Sequence, residues 1–364
     1  SLWDFAGSGV GSSPMRNKIL IVGLLFGMGV AIALDQRQRF EAPAMRWLYP
    51  GFLERLPSVT GLRLLKAGDG VDLVFDNGTW VVAQRFNYPV NDKPLFQLLD
   101  QLDRARLIEK KTALSKHHGA LGLLEDASDS GSVLMFQGDT LLKPVVIGQQ
   151  ASTRQGTFVR FQSDDQVWLI DQALEVSAAA ADWLAPSLLT INDQMIESIE
   201  LSNPGEVKYR VVRDERDNWV LAATPEGRTL RYDTALTPLA TTVGQLRLLD
   251  IALHDPARWV GAGSAVYQLT SSHRLTLRTA AAQEGYWLRI VVDSDEVDPS
   301  DASDATLQVK AVEPKRSPAL DQVLGPSREA LTRFDFRIAK RNFDDLNRSL
   351  EHFLKPQDGE KIDG

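Results

Sequence analysis

Five aspartates, Asp293, Asp295, Asp298, Asp301 and Asp304, crowd into one short stretch and invite a calcium reading, because hard cations take carboxylate oxygens. A calcium loop of the EF-hand type needs glycine at its sixth place, for a sharp turn, and a bidentate glutamate at its twelfth. Counted from Asp293, both places hold aspartate. Pro299, Ser300 and Ser303 lie among them between two strand-like runs, so the stretch reads as a solvated hairpin loop. His117 and His118 are adjacent and point apart on either a helix or a strand, which makes them a poor chelating pair. His254, His273 and His352 stand in no zinc or hydrolase motif, and neither a G-x-S-x-G elbow nor a G-x-x-x-x-G-K-[ST] loop occurs. Gly7, Gly9 and Gly11 superficially match a phosphate loop, but no strand precedes them and an apolar run follows. The 364 residues include no cysteine, which excludes disulfides, thiolate metal sites and a cysteine nucleophile. These residues point to a non-catalytic protein without metal or cofactor.

Hydrophobic residues make up 43% of the chain and charged residues 24%, a globular composition. A net charge of -8 supplies no basic face for nucleic acid and no broad attraction to anionic lipid head groups.

The elements that would position any site begin with the uncharged stretch Ile19 to Leu34. It lies between Arg16 and Lys18 on one side and Asp35, Arg37 and Arg39 on the other. As a helix it covers roughly 24 Å, a little short of a ~30 Å hydrocarbon core, and snorkelling by Lys18 and Arg37 would close the gap. It reads as a transmembrane anchor over 15–39, the alternatives being a cleavable secretory signal, from the basic start and apolar run, and a buried helix of a soluble core, which Gly23, Gly27 and Gly29 disfavour. Gly23 and Gly27 form a G-x-x-x-G pair of the kind that lets a second membrane helix approach. Residues 1–14 read as a flexible or appended tail and 40–57 as a juxtamembrane segment. The aromatics Trp47, Tyr49 and Phe52 suit either the head-group level or the base of the first domain. Long domains translocate largely regardless of charge, so the bulk of the chain is expected across the membrane.

Short runs rich in β-branched and aromatic residues then read as strands at 59–65, 71–76 and 79–86, with a tight hairpin at Asn77-Gly78. Pro94 to Leu107 places Leu95, Leu98, Leu99, Leu102 and Leu107 on or near one helical stripe. Strands follow at 132–137, 143–148, 157–162 and 166–171, and the alanine run within 172–184 predicts a closing helix. The same order then recurs. Ile196 to Leu201 resembles Val59 to Leu64, Trp219 to Ala222 resembles Trp80 to Ala83, and Pro238-Leu239 with Gln245-Leu246 resembles Pro94-Leu95 with Gln101-Leu102. The offsets are 137, 139 and 144 residues. The predicted fold class is α+β: an N-terminal single transmembrane helix, then two tandem related units of mostly antiparallel sheet with covering helices, at 58–190 and 191–325. The second unit is expected to continue with strands at 274–280, 286–292 and 306–312. The stripe of Leu331, Phe334, Ile338, Phe343, Leu346, Leu350 and Phe353 predicts a helical C-terminal segment at 326–364.

An N-terminal apolar stretch, then NYPVNDKPLFQLLDQLDRARLIE (87–109), LGLLED (121–126), VVIGQQ (145–150), TFVRFQSDDQVWLID (157–171) and ADWLAPSLL (181–189), resembles the bacterial family grouped as domain of unknown function 4340. The resemblance is good over roughly 55–200 and weaker over the second copy, and none of its motifs is catalytic. It implies an accessory role at the membrane, because such proteins are often encoded beside gliding-motility-type ABC transporter subunits. The expectation is a single-pass protein of the bacterial inner membrane, its bulk on the periplasmic side, partnering an ABC transporter permease and ATPase. The second expectation is a stand-alone envelope scaffold or binding protein for cell-wall polymer or another envelope protein.

Overall fold

The computed structural model describes residues 46–125, 131–152, 155–293 and 320–356. Arg46–Trp47 form a short strand, β1, and Phe52–Arg55 a one-turn helix, α1. A meander follows in β2 (Gly61–Lys66), β3 (Asp69–Asp76) and β4 (Thr79–Val82). The hairpin expected at Asn77-Gly78 forms, with φ of 48° and 83° at the two turn residues. After β5 (Tyr88–Pro89), helix α2 (Asp92–Arg104) starts where the Asn91 side chain accepts the Lys93 N–H. It buries Leu95, Leu98, Leu99 and Leu102, a stripe at helical spacing. The chain continues into β6 (Arg106–Lys110) and a second meander, β7 (Ser132–Gln137), β8 (Val145–Gln150), β9 (Thr157–Phe161) and β10 (Trp168–Ile170). These strands make one antiparallel sheet in the order β1-β6-β10-β9-β8-β7-β2-β3-β4-β5.

The helix expected at 172–184 does not form; within it only Ala180–Trp183 turn, as a 3-10 helix. Leu174, Val176, Ala178 and Ala180 are buried alternately, the period of an extended chain. Side chains capture its backbone. Thr157 Oγ1 donates to Gln172 O and accepts the Leu174 N–H, and Trp183 Nε1 donates to Ser177 O. Such contacts outweigh alanine's helix preference of a few tenths of a kcal/mol per residue.

The second sheet is built from β11 (Ile196–Ser202), β12 (Tyr209–Arg213), β13 (Trp219–Leu221), helix α3 (Thr237–Thr242), β14 (Asp250–Leu253), β15 (Gly263–Leu269), β16 (Arg274–Ala282) and β17 (Gly285–Asp293). Helices α4 (Leu320–Val323) and α5 (Arg328–Arg333), strand β18 (Phe334–Ile338) and helix α6 (Lys340–Leu346) complete it. Its order is β13-β12-β11-β15-β16-β17-β18-β14. The first sheet contains the run β4-β3-β2-β7-β8-β9-β10-β6, which is the same topology: a meander, a second meander laid beside its first strand, and an edge strand supplied by the chain between them. The expected all-helical C-terminal segment is corrected at β18, where Phe334, Phe336 and Ile338 alternate toward the core and pair with β17 and β14.

The fold is thus α+β with two antiparallel sheets, and the expected membrane architecture is corrected. Among the described residues no helix is long and apolar enough to cross a membrane. The stretch Ile19 to Leu34, with Gly23, Gly27, Lys18 and Arg37, lies outside the described residues, as do the strand expected at 306–312 and Asp295, Asp298, Asp301 and Asp304. The inner-membrane location and periplasmic placement rested on that anchor and have no support in the structure.

One core runs through both units, from Leu62, Leu64 and Leu134 to Tyr267, Leu277 and Phe336. The far face of each sheet carries a small second cluster, Leu123 with Val133, Val146 and Val167 in the first, Trp259 with Ala280 and Trp287 in the second. Arg160, within the FVR motif, holds the first cover in place by donating to the Leu123 carbonyl and to Glu125. Between the units, Phe334 packs on Phe86 and Tyr88, and Arg85 clasps Asp250 through Nε at 2.6 Å and a second guanidinium nitrogen at 3.1 Å. This bidentate pair is half-buried, and Arg85→Ala is expected to lower stability by about 1 kcal/mol, read as a fall in the urea midpoint. A double-mutant cycle with Asp250→Ala would return that value as coupling.

Candidate docking groove

An apolar recess lies on the first unit. Leu53 on α1, Leu56, Pro57 and Val59 after it, Phe75 and Trp80 on the β3–β4 hairpin, and Phe96, Leu99, Asp100 and Asp103 on α2 enclose about 480 Å³. Local structure explains why these side chains face outward. Four leucines of α2 take the core stripe, which leaves Phe96, Asp100 and Asp103, at i, i+4 and i+7, on the flank beside it. Phe75 and Trp80 are cross-strand partners at the mouth of the hairpin, ring centroids 5.5 Å apart. Phe96 is 59% exposed, Leu53 57% and Phe75 47%. Clustered apolar exposure of this kind marks an interaction surface, whereas single exposed apolar residues do not. Asp100 is held by Arg104 at 2.8 Å, while Asp103 has no ion-pair partner among the described residues.

The second unit contains the same place, closed. Trp219 on β13 corresponds to Trp80, and its cross-strand partner is Arg213 where the first unit has Phe75. Arg213 stacks over Trp219 at 4.4 Å, and Trp219 is only 4% exposed. In the helix register that aligns Pro238 with Pro94, Ala240 stands at the position of Phe96 and Gly244 at that of Asp100. A Cβ at Gly244 would lie 2.1 Å from the Ile191 carbonyl oxygen, so glycine there lets the incoming backbone settle directly on the helix. In the first unit the places of Ala240 and Gly244 carry Phe96 and Asp100, which line a recess together with Leu53, Leu56, Pro57 and Val59 of the corresponding segment. A groove results.

Several groups able to do chemistry are committed to structural contacts. Asp335 on β18 is fully buried and accepts from His254 Nδ1 (2.9 Å), the Asp255 N–H (3.1 Å), Trp259 Nε1 (3.2 Å), Arg289 (3.2 Å) and Arg258. It anchors the Pro256–Trp259 turn to the sheet with both oxygens occupied, which leaves no lone pair for general-base work. His118 is buried on the Asp165 carbonyl, His273 meets Ser271, and burial together with the Arg348 and Arg231 cations lowers the pKa of His352. A polar recess of about 370 Å³ beside Lys66, Ser132, Gln149, Gln150 and Glu175 brings together no serine–histidine pair. Among the described residues no three His, Asp or Glu side chains are placed to hold a metal ion.

A family model described as domain of unknown function (DUF4340) matches residues 80–270, more than half of the chain. The chain belongs to the DUF4340 family. No curated protein and no solved structure matches it. The DUF4340 match carries no membrane anchor and no transporter, so the expected partnership with an ABC transporter permease and ATPase is corrected as unsupported. Within the DUF4340 match lie Trp80, Phe96, Asp100 and Asp103 of the groove, and Trp219 and Gly244 of its closed counterpart.

Of the interface aromatics read from the sequence, Phe52 and Tyr49 are buried in the first core. The Tyr49 hydroxyl donates to Lys143 O at 2.6 Å, and burial pushes its phenol up. Trp47 is at the surface with the Arg106 guanidinium over its ring at 4.7 Å. Sequence reading missed Phe75 and Phe96. Phe96 had a legible signal, an aromatic on the polar face of an otherwise clean amphipathic helix.

Proposed function

We propose that the chain is a non-catalytic binding and scaffold protein whose first unit captures a protein partner in the groove between α1, the β3–β4 hairpin and α2. The observation that carries this reading is the contrast between copies: one topology, closed by Gly244 and Arg213 in the second unit and open over Phe75, Trp80 and Phe96 in the first. The lining is mostly aliphatic and aromatic with two carboxylates at its rim, the make-up of a protein-contact patch with an apolar centre and a polar edge. The units, taken as 58–190 and 191–325 with β18 completing the second sheet, act as a rigid mount for the groove.

Photo-cross-linking in the native host from a photoreactive side chain at position 96 is expected to give one discrete protein adduct. Exposed aromatics make most of the energy in such contacts, so Phe96→Asp with Phe75→Asp should reduce recovery of that partner at least tenfold. Both residues are largely exposed, and the melting temperature should stay within about 2 °C of the parent. Discrete adducts from exposed Val260, in the second unit, with none from position 96 would contradict the proposal.

A further inference from the structure

We infer that the occupant of the groove is an extended peptide segment of a partner protein that carries an aliphatic side chain next to lysine or arginine. This rests on the binding reading above and deepens it. The second unit supplies the template. There the place is filled by main chain, the Ile191 carbonyl lying against Gly244, with the Ile191 side chain buried and Leu189 bridged to Leu324. What packs on the helix in the closed copy is thus a run of backbone with aliphatic side chains; in the open copy the equivalent residues 53–59 form one wall, and the space between them, α2 and the hairpin can take a further run of that kind.

Charge sets the second requirement. Asp100 and Asp103 stand one turn apart on the groove side of α2; Arg104 pairs with Asp100, so Asp103 carries the rim's uncompensated charge, and no lysine or arginine is among the lining residues. In the closed copy these places are Gly244 and Arg247, so the acidic rim belongs to the open groove alone. An apolar floor with an acidic rim selects an apolar segment with a cation at its flank and repels acidic segments and anionic lipid. Contact through Asp103 at the solvent rim is also expected to weaken with salt.

The test is selection of displayed random twelve-residue peptides on the full chain, followed by anisotropy titration of the enriched peptides. Peptides that combine Leu, Ile or Val with a neighbouring Lys or Arg are expected. Their affinity should fall at least tenfold on Phe96→Asp and at least threefold on Asp103→Lys, each variant first shown to melt with the parent. Enriched peptides that lack a basic residue yet weaken on Phe96→Asp would overturn this inference and leave the docking role standing. Enriched peptides indifferent to Phe96→Asp, or no enrichment over the Phe96→Asp chain, would overturn both. A cross-link from position 96 to residues 19–34 of the same chain, or to a second copy, would assign the groove to that occupant instead and overturn the inference. So would vesicles of phosphatidylglycerol that displace the peptides.

Discussion

Asp335→Ala is expected to destabilise the protein by about 3–5 kcal/mol, the cost of leaving buried cations without their counter-charge. Asp335 is fully buried, and its two oxygens accept from five donors on and around the Pro256–Trp259 turn. Removing it orphans Arg258 and Arg289, whose side chains are only 12% and 15% exposed. Arg258 also lies over Trp287 and Arg278 against Trp259, so the two tryptophans that cover the far face lose their register together. Urea denaturation should show the midpoint falling with little change in slope, and Asp335→Asn should fall between the two because an amide keeps one acceptor. A midpoint within 1 kcal/mol of the parent would mean that the turn is held by packing alone.

The second large effect tests the difference between the copies. Gly244→Ala is expected to cost about 2–3 kcal/mol, because the added methyl would meet the Ile191 carbonyl at 2.1 Å and the connecting backbone must lift off the helix. Alanine's better helix preference, worth about 1 kcal/mol, opposes this and is too small to cancel it. At the corresponding place in the first unit, Asp100→Ala is expected to change stability by no more than about 0.5 kcal/mol, losing only an exposed i,i+4 pair with Arg104. Thermal melts of the two variants measure both. Equal effects would remove the argument that the second copy is closed by a backbone contact the first lacks.

Much of the fold was legible because local and tertiary preferences agree in it. The leucine stripe of α2, the Asn77-Gly78 turn and the recurring Trp-Val pair at Trp80 and Trp219 all stand where periodicity and turn chemistry place them. The misreadings fall where side chains redirect the backbone. The alanine run at 178–181 looked helical until Thr157 and Ser177 were seen to bind its neighbourhood, and Phe334 to Ile338 fitted a helical stripe while also alternating. The groove was less legible still. Exposed Phe96 could be suspected from its place off the stripe, but the meaning of Asp100 against Gly244 depends on the path of Ile191 across a helix remote in sequence. The apolar stretch Ile19 to Leu34 is the strongest local hydropathy signal in the sequence and lies outside the described residues, among which no helix is long and apolar enough to cross a membrane.

The most direct measurement of the central claim is the dissociation constant of the strongest selected peptide for the parent chain and for Phe96→Asp, at matched stability and fixed salt. The open groove predicts that affinity falls at least tenfold, about 1.4 kcal/mol, on loss of that one exposed ring. An unchanged constant would contradict it and remove the first unit's groove as the binding site.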